Sequence, residues 1–157
     1  QLDFLLPRRF ELTYVDSNGE KQTPVVIHRA IFGTFDRFTA FLIEETKGAF
    51  PTWLAPTQVS VIPVSSEFQG DYAREVTEKL KEQGIRAELD DRNEKLGYRL
   101  REAQTKKVPY TLILGDNEKQ NNTISYRLHG EKETTTVSEE EFIKLIKKEI
   151  ENKELRK

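Results

Sequence analysis

Residues 58–89 read QVSVIPVSSEFQGDYAREVTEKLKEQGIRAEL, and this stretch decides the fold class. Gln58–Val64 is rich in β-branched residues, the composition of a buried strand. Tyr72, Val76 and Leu80 follow at four-residue steps, so Asp71–Gln83 is expected to be a helix with one apolar face. Gly84 stands where a helix closes on a left-handed residue, and Ile85–Leu89 returns to strand composition. Strand, helix and strand in this order imply a right-handed crossover between parallel neighbours.

The alternation continues downstream. Glu94–Thr105 reads as a basic helix and Val108–Leu114 as a third strand. Thr123–His129 and Thr134–Val137 form a further strand pair around Gly130. A last helix starts at Glu139, with Ser138 and Glu141 as a capping box and Phe142, Leu145, Ile146 and Ile150 as its apolar face. The expected class is therefore α/β, a mixed and mostly parallel sheet flanked by helices.

Upstream the pattern differs. Asp16-Ser17-Asn18-Gly19 is a turn cluster between Phe10–Val15 and Gln22–Ile31, which reads as an antiparallel hairpin. After Gly33-Thr34, the residues Phe35, Phe38, Leu42 and Ile43 mark a helix that Gly48 ends. A hairpin and one helix lack a second layer, so this half is expected not to close a core alone. The two-proline stretch Phe50–Pro56 suggests the division: residues 1–50, a connector at 51–56, and a second domain at 57–157.

Composition narrows the function. The 157 residues are 36% hydrophobic and 33% charged, with a net charge of -2, which excludes a globally basic nucleic-acid binder but not a local basic face. No run approaches the ~18–20 apolar residues of a membrane span. The absence of cysteine removes disulfides, thiol catalysis and cysteine-ligated metals. With no leader segment the expected location is the cytoplasm, and with no methionine the chain is expected to be a fragment of something larger.

Three places could carry chemistry. His28 lies in a strand, where a structural role competes with a metal or catalytic one. Gly33-Thr34 with Asp36-Arg37 puts a glycine, helix-start N–H groups and a planar cation at one turn, suited to a phosphate or a ring; a plain helix start competes. Between Arg92 and Lys107 the positive side chains exceed the negative by four. This stretch follows the second strand, at the sheet edge where open α/β folds bind ligands. Asn93 there offers a donor and an acceptor to a base edge, and the cations suit phosphates; an ordinary solvated helix competes. Nearby Gly115-Asp116-Asn117-Glu118 follows the third strand.

Several segments then point to one family. Gln1-Leu2-Asp3-Phe4, Pro24–Phe38, Phe50–Pro56, Arg92-Asn93-Glu94-Lys95-Leu96-Gly97, Val108-Pro109-Tyr110 and Gly115-Asp116 resemble the C-terminal part of bacterial-type threonyl-tRNA synthetases, which are class II enzymes. The resemblance covers essentially the whole chain. It implies that residues 1–50 are the end of a class II catalytic domain and 57–157 an anticodon-binding domain.

By that resemblance Arg37 packs over the adenine of ATP, Gln1 and Thr34 line the same catalytic pocket, and His28 is a zinc ligand gripping threonine. Asp36 and Thr34 depart from the Glu and Ser usual there. Asn93, Lys95, Lys107, Glu118 and Arg127 fall on anticodon-contacting positions, with Lys107 replacing an arginine found in some relatives. The resemblance implies a threonine tRNA as partner, threonine and ATP as substrates, and zinc and magnesium as cofactors of a dimeric parent enzyme. The chain alone is expected to be monomeric, catalytically inactive and without a stably bound cofactor. The alternative is a stand-alone or engineered RNA-binding module of the same fold with no catalysis.

Overall fold

The computed structural model describes residues 1–155. It divides into two compact units, Gln1–Leu42 and a second beginning at Ile43.

In the first unit β1 (Leu2–Asp3) pairs antiparallel with β4 (Val26–Ile27), and β2 (Tyr14–Val15) with β3 (Lys21–Gln22). The expected hairpin exists, but each arm has only two residues. Phe10 does not belong to it. The Asp3 carboxylate accepts the N–H groups of Leu5 and Leu6, and Pro7 opens a helical turn, α1 (Leu6–Arg9). Asp16 shapes the hairpin turn by accepting from Asn18 and Glu20, with Gly19 at φ +83°. The helix α2 (Phe35–Thr46) follows. Up to Leu42 only Pro7 is buried, and Phe35 is 84% exposed, so this unit has almost no interior.

The second unit is built on β5 (Val59–Pro63), β6 (Ala87–Leu89), β7 (Tyr110–Leu114), β8 (Thr123–Leu128) and β9 (Thr135–Ser138), in the order β6-β5-β7-β8-β9. The first three are parallel, and β8 and β9 add on antiparallel. The helices are α3 (Ser66–Glu82), α4 (Leu96–Thr105), α5 (Asp116–Asn121) and α6 (Glu139–Glu151). Val59, Val61, Leu112, Leu114 and Ile124 form one face of the sheet, under Tyr72, Val76 and Leu80 of α3 and Phe142 and Ile146 of α6. Each such buried side chain contributes roughly 1.5–3 kcal/mol. The rings of Tyr110, Tyr126 and Phe142 meet at 5.4–5.5 Å between centroids. Residues of opposite parity, Ser60, Ile62, Thr111, Ile113, Ser125 and Arg127, form the other face, which α4 crosses at β5.

Two helix starts and one further element differ from the sequence expectation. α3 starts at Ser66, not Asp71, because Ser65 is extended and its N–H is taken by the Gln69 side chain. The apolar periodicity misses this turn, since Phe68 faces solvent. α4 starts at Leu96, not Glu94, because Lys95 is non-helical at ψ 135°. α5 was not expected, as DNEKQN carries no apolar stripe.

The two-proline stretch is fixed by buried polar bonds. Thr52 donates to Glu149 at 2.6 Å, and the Tyr110 hydroxyl donates to the same carboxylate at 2.5 Å. Gln58 bonds the Thr52 carbonyl and the Arg86 N–H, while the Arg86 guanidinium reaches the carbonyls of Trp53 and Ala55. Replacing Glu149 by Leu removes the carboxylate that both buried hydroxyls share. Glu149→Leu should lower unfolding stability by about 2–4 kcal/mol in urea titration, and Glu149→Gln, which keeps an acceptor oxygen, should lose less.

Candidate nucleic-acid interface

Three chain segments leave the sheet at the C-terminal ends of its parallel strands: residues 64–65 after β5, 90–95 after β6 and Gly115 after β7. α3 covers the core face and α4 crosses the other, so the strand order β6-β5-β7 reverses direction between β5 and β7. Such a reversal opens a crevice above the strand ends.

Arg99 fixes this crevice. It is 2% exposed, and its guanidinium donates to the carbonyl of Asp90 at 2.8 Å and of Val64 at 3.3 Å. Arg99 therefore does not belong to the solvent-facing basic surface that its sequence position implies. Two further cations of that stretch are neutralised. Arg92 pairs with Asp90 at 2.7 Å and Glu102 at 2.8 Å, and Lys106 with Glu102 at 2.8 Å. The Arg92 guanidinium holds the Asp90 carboxyl below the usual carboxylate range.

What remains available is specific. Asn93 and Lys95 are exposed in the 90–95 loop, and neither side chain has a hydrogen bond or ion pair among the described residues. Glu118, on α5 just past β7, accepts from the Gly115 N–H at 2.9 Å and from Ser125 at 2.6 Å. Partial burial pushes its carboxyl up, but the two hydrogen bonds outweigh that and leave it below the ordinary value. Arg127 lies opposite Thr111 on the face not used for the core, donating to Thr134 at 3.3 Å, and its Nε has no partner among the described residues. Asn93, Lys95 and Glu118 thus share the C-terminal edge, with Arg127 further down the same sheet. Lys107 does not join them. It precedes β7 at the opposite edge, with φ +56°, and its ammonium donates to the Lys47 carbonyl. Phe68 and Ser125 were not singled out by sequence, and no spacing or charge pattern marks either.

In the first unit, Gln1 and His28 exchange backbone hydrogen bonds at 2.9 and 3.0 Å, and His28 Nε2 lies 2.9 Å from Asp3 Oδ2. The bond from Leu6 N–H, then that from His28, holds the Asp3 carboxyl below its ordinary value. Thr34 caps α2 by accepting from the Arg37 N–H at 3.3 Å, and the Arg37 side chain is exposed. An imidazole that gives one nitrogen to a carboxylate keeps the other for a metal. No group of three or more His, Cys, Asp or Glu side chains converges among the described residues, so His28 brings a single such nitrogen.

Residues 58–149 match the family described as the anticodon binding domain. The chain belongs to that family. The chain also has relatives among threonine–tRNA ligases. It is 56% identical over 156 residues to a threonine–tRNA ligase of Oceanobacillus iheyensis, covering 99% of this chain and 24% of the relative. It is 58% identical over 153 residues to the corresponding ligase of Streptococcus mutans, covering 98% and 24%. The chain thus spans about a quarter of the length of the curated relatives it matches. Its fold is similar to the RNA binding domain of threonyl-tRNA synthetase from Cryptosporidium parvum, with TM-score 0.78, 32% identity, and coverage of 94% of this chain and 38% of that one. A prolyl-tRNA synthetase of the same organism shares the fold at TM-score 0.68 and 22% identity, covering 93% and 31%. No helix among the described residues is long and apolar enough to cross a membrane.

The Asp90 ion pair sets a pH dependence. A carboxyl whose folded pKa is depressed contributes stability above its unfolded pKa and loses it as pH falls through the folded one. Asp90→Asn should therefore flatten the stability profile below about pH 4, measured by thermal unfolding across pH against the parent chain.

Proposed function

We propose that this chain is the tRNA-reading part of a threonine–tRNA ligase, a cytoplasmic enzyme that joins threonine to its tRNA at the cost of ATP. The observation that carries the reading is the pair Asn93 and Lys95, exposed and unpaired outside the ends of the parallel strands. Near full-length similarity to threonine–tRNA ligases supports the choice of RNA.

In this reading Asn93 reads a base edge through its donor and acceptor, and Lys95 holds a phosphate. Glu118 accepts from a base amine with lone pairs that Ser125 and Gly115 leave over. Arg127, tied by one long hydrogen bond, turns to the RNA at small cost. Lys107 serves as a backbone contact at the far edge once it leaves the Lys47 carbonyl.

Residues 1–50 then contribute one side of the adenylation site. The parent reaction has two steps: the threonine carboxylate attacks the α-phosphate of ATP and releases pyrophosphate, giving threonyl-AMP, and a terminal tRNA hydroxyl then attacks its carbonyl, taking the threonyl group and releasing AMP. Arg37, exposed at the start of α2, lies over the adenine of ATP, and Gln1 and Thr34 line the pocket. ATP would enter with magnesium. His28, oriented by Asp3, offers one nitrogen to zinc, which when bound grips the amino and hydroxyl groups of threonine. The remaining donors and the rest of the site belong to the parent enzyme, a homodimer; this chain alone is a monomer without catalysis.

The test is binding of the chain to threonine tRNA and to the same tRNA with altered anticodon bases, at two salt concentrations. Asn93→Ala should weaken the matched RNA by roughly 1–3 kcal/mol and leave the mismatched one unchanged. Lys95→Ala should weaken both equally and reduce the salt slope by about one. Equal affinity of the unaltered chain for both RNAs would leave only a phosphate-binding surface.

A further inference from the structure

Phe68 is the third residue of α3, and 64% of its surface is exposed. The apolar residues that follow along the helix, Tyr72, Val76 and Leu80, enter the core. Phe68 does not, and its ring meets no other ring among the described residues. Its immediate neighbours in sequence, Ser65, Ser66, Glu67 and Gln69, are polar.

The backbone beneath this ring is held from two sides. Ser66 donates to the Asp91 carbonyl at 2.8 Å, which joins the start of α3 to the loop carrying Asn93 and Lys95. Lys119 donates to the Phe68 carbonyl itself at 2.7 Å, and Gln69 donates to Asp116 at 2.6 Å, which join the same turn to the helix carrying Glu118. Phe68 is thus a solvent-facing ring on a fixed base, between the two segments that offer hydrogen bonds to a base edge. Lys119 places a positive charge at its backbone.

We propose that Phe68 is a stacking platform for one unstacked nucleobase of the bound RNA loop, an inference that rests on the anticodon reading above. Single-stranded bases gain most of their sequence-independent affinity by stacking on aromatic faces, while neighbouring cations hold the backbone. A ring already exposed and already anchored stacks without refolding its surroundings. It adds affinity for any base at that position, and Asn93 and Glu118 then decide which base is kept.

The experiment uses the full chain and an anticodon stem-loop carrying 2-aminopurine, a base whose fluorescence falls on stacking, at each anticodon position in turn. The unaltered chain should quench one position more than the others. Phe68→Leu, which keeps bulk but not the π face, should remove that quench and weaken binding about tenfold. The loss should be the same for every base at that position, the urea midpoint should not move, and Phe68→Trp should restore both signals. A quench and affinity that survive Phe68→Leu would overturn the platform while leaving the anticodon reading intact, as would a loss that Phe68→Trp fails to restore. Failure of the unaltered chain to bind the stem-loop would overturn the anticodon reading itself.

Discussion

A guanidinium buried among backbone carbonyls sets the geometry of the candidate interface. Arg99 has no carboxylate in direct contact; it joins the end of β6 to the end of β5 through the carbonyls of Asp90 and Val64. Burying a charge is costly unless it is well bonded, so its position fixes two strand ends and α4 together. The loop from Asp90 to Lys95 hangs from this anchor, and the Asp90–Arg92–Glu102–Lys106 network braces its outer side. Asn93 and Lys95 are left free on a loop whose roots are rigid.

Local positive charge in the sequence therefore overstates the basic surface. The six positive side chains between Arg92 and Lys107 divide into a structural cation, two neutralised ones, one held by the Lys47 carbonyl, and two exposed ones, Lys95 and Arg101. An interface with few free cations gains little from phosphates alone and depends more on base contacts. The parity of β7 and β8 points the same way. It turns Thr111, Ser125 and Arg127 away from the core, and polar residues there leave a surface suited to hydrogen bonding.

The second unit was legible because its strands and helices carry separate hydrophobic periods. The β-branched run at Val59–Ile62 and the four-residue steps of Tyr72, Val76 and Leu80 each admit one structure. The capping box at Ser138 and Glu141 forms as its spacing implies. What failed to show in sequence were the elements without such a period, α1 and α5, where a side-chain cap, a proline or a short polar turn decides. The role of Arg99 was equally hidden, because burial of an arginine depends on carbonyls brought from residues 9 and 35 positions away. The candidate residues at the sheet edge could be placed by topology, but Phe68 could not, since an isolated exposed ring looks like any other break in a pattern.

The bond from Thr52 to Glu149 spans 97 residues of sequence, and that from Tyr110 to Glu149 spans 39. A nascent chain meets this requirement late. The Thr52 and Tyr110 hydroxyls reach this shared carboxylate only once α6 has left the ribosome. Until then the core face of the sheet lacks Phe142 and Ile146. Its apolar surface is then open to non-native contacts, a hazard of folds that close through distant segments. The last helix is thus the element whose arrival ends the period of greatest risk.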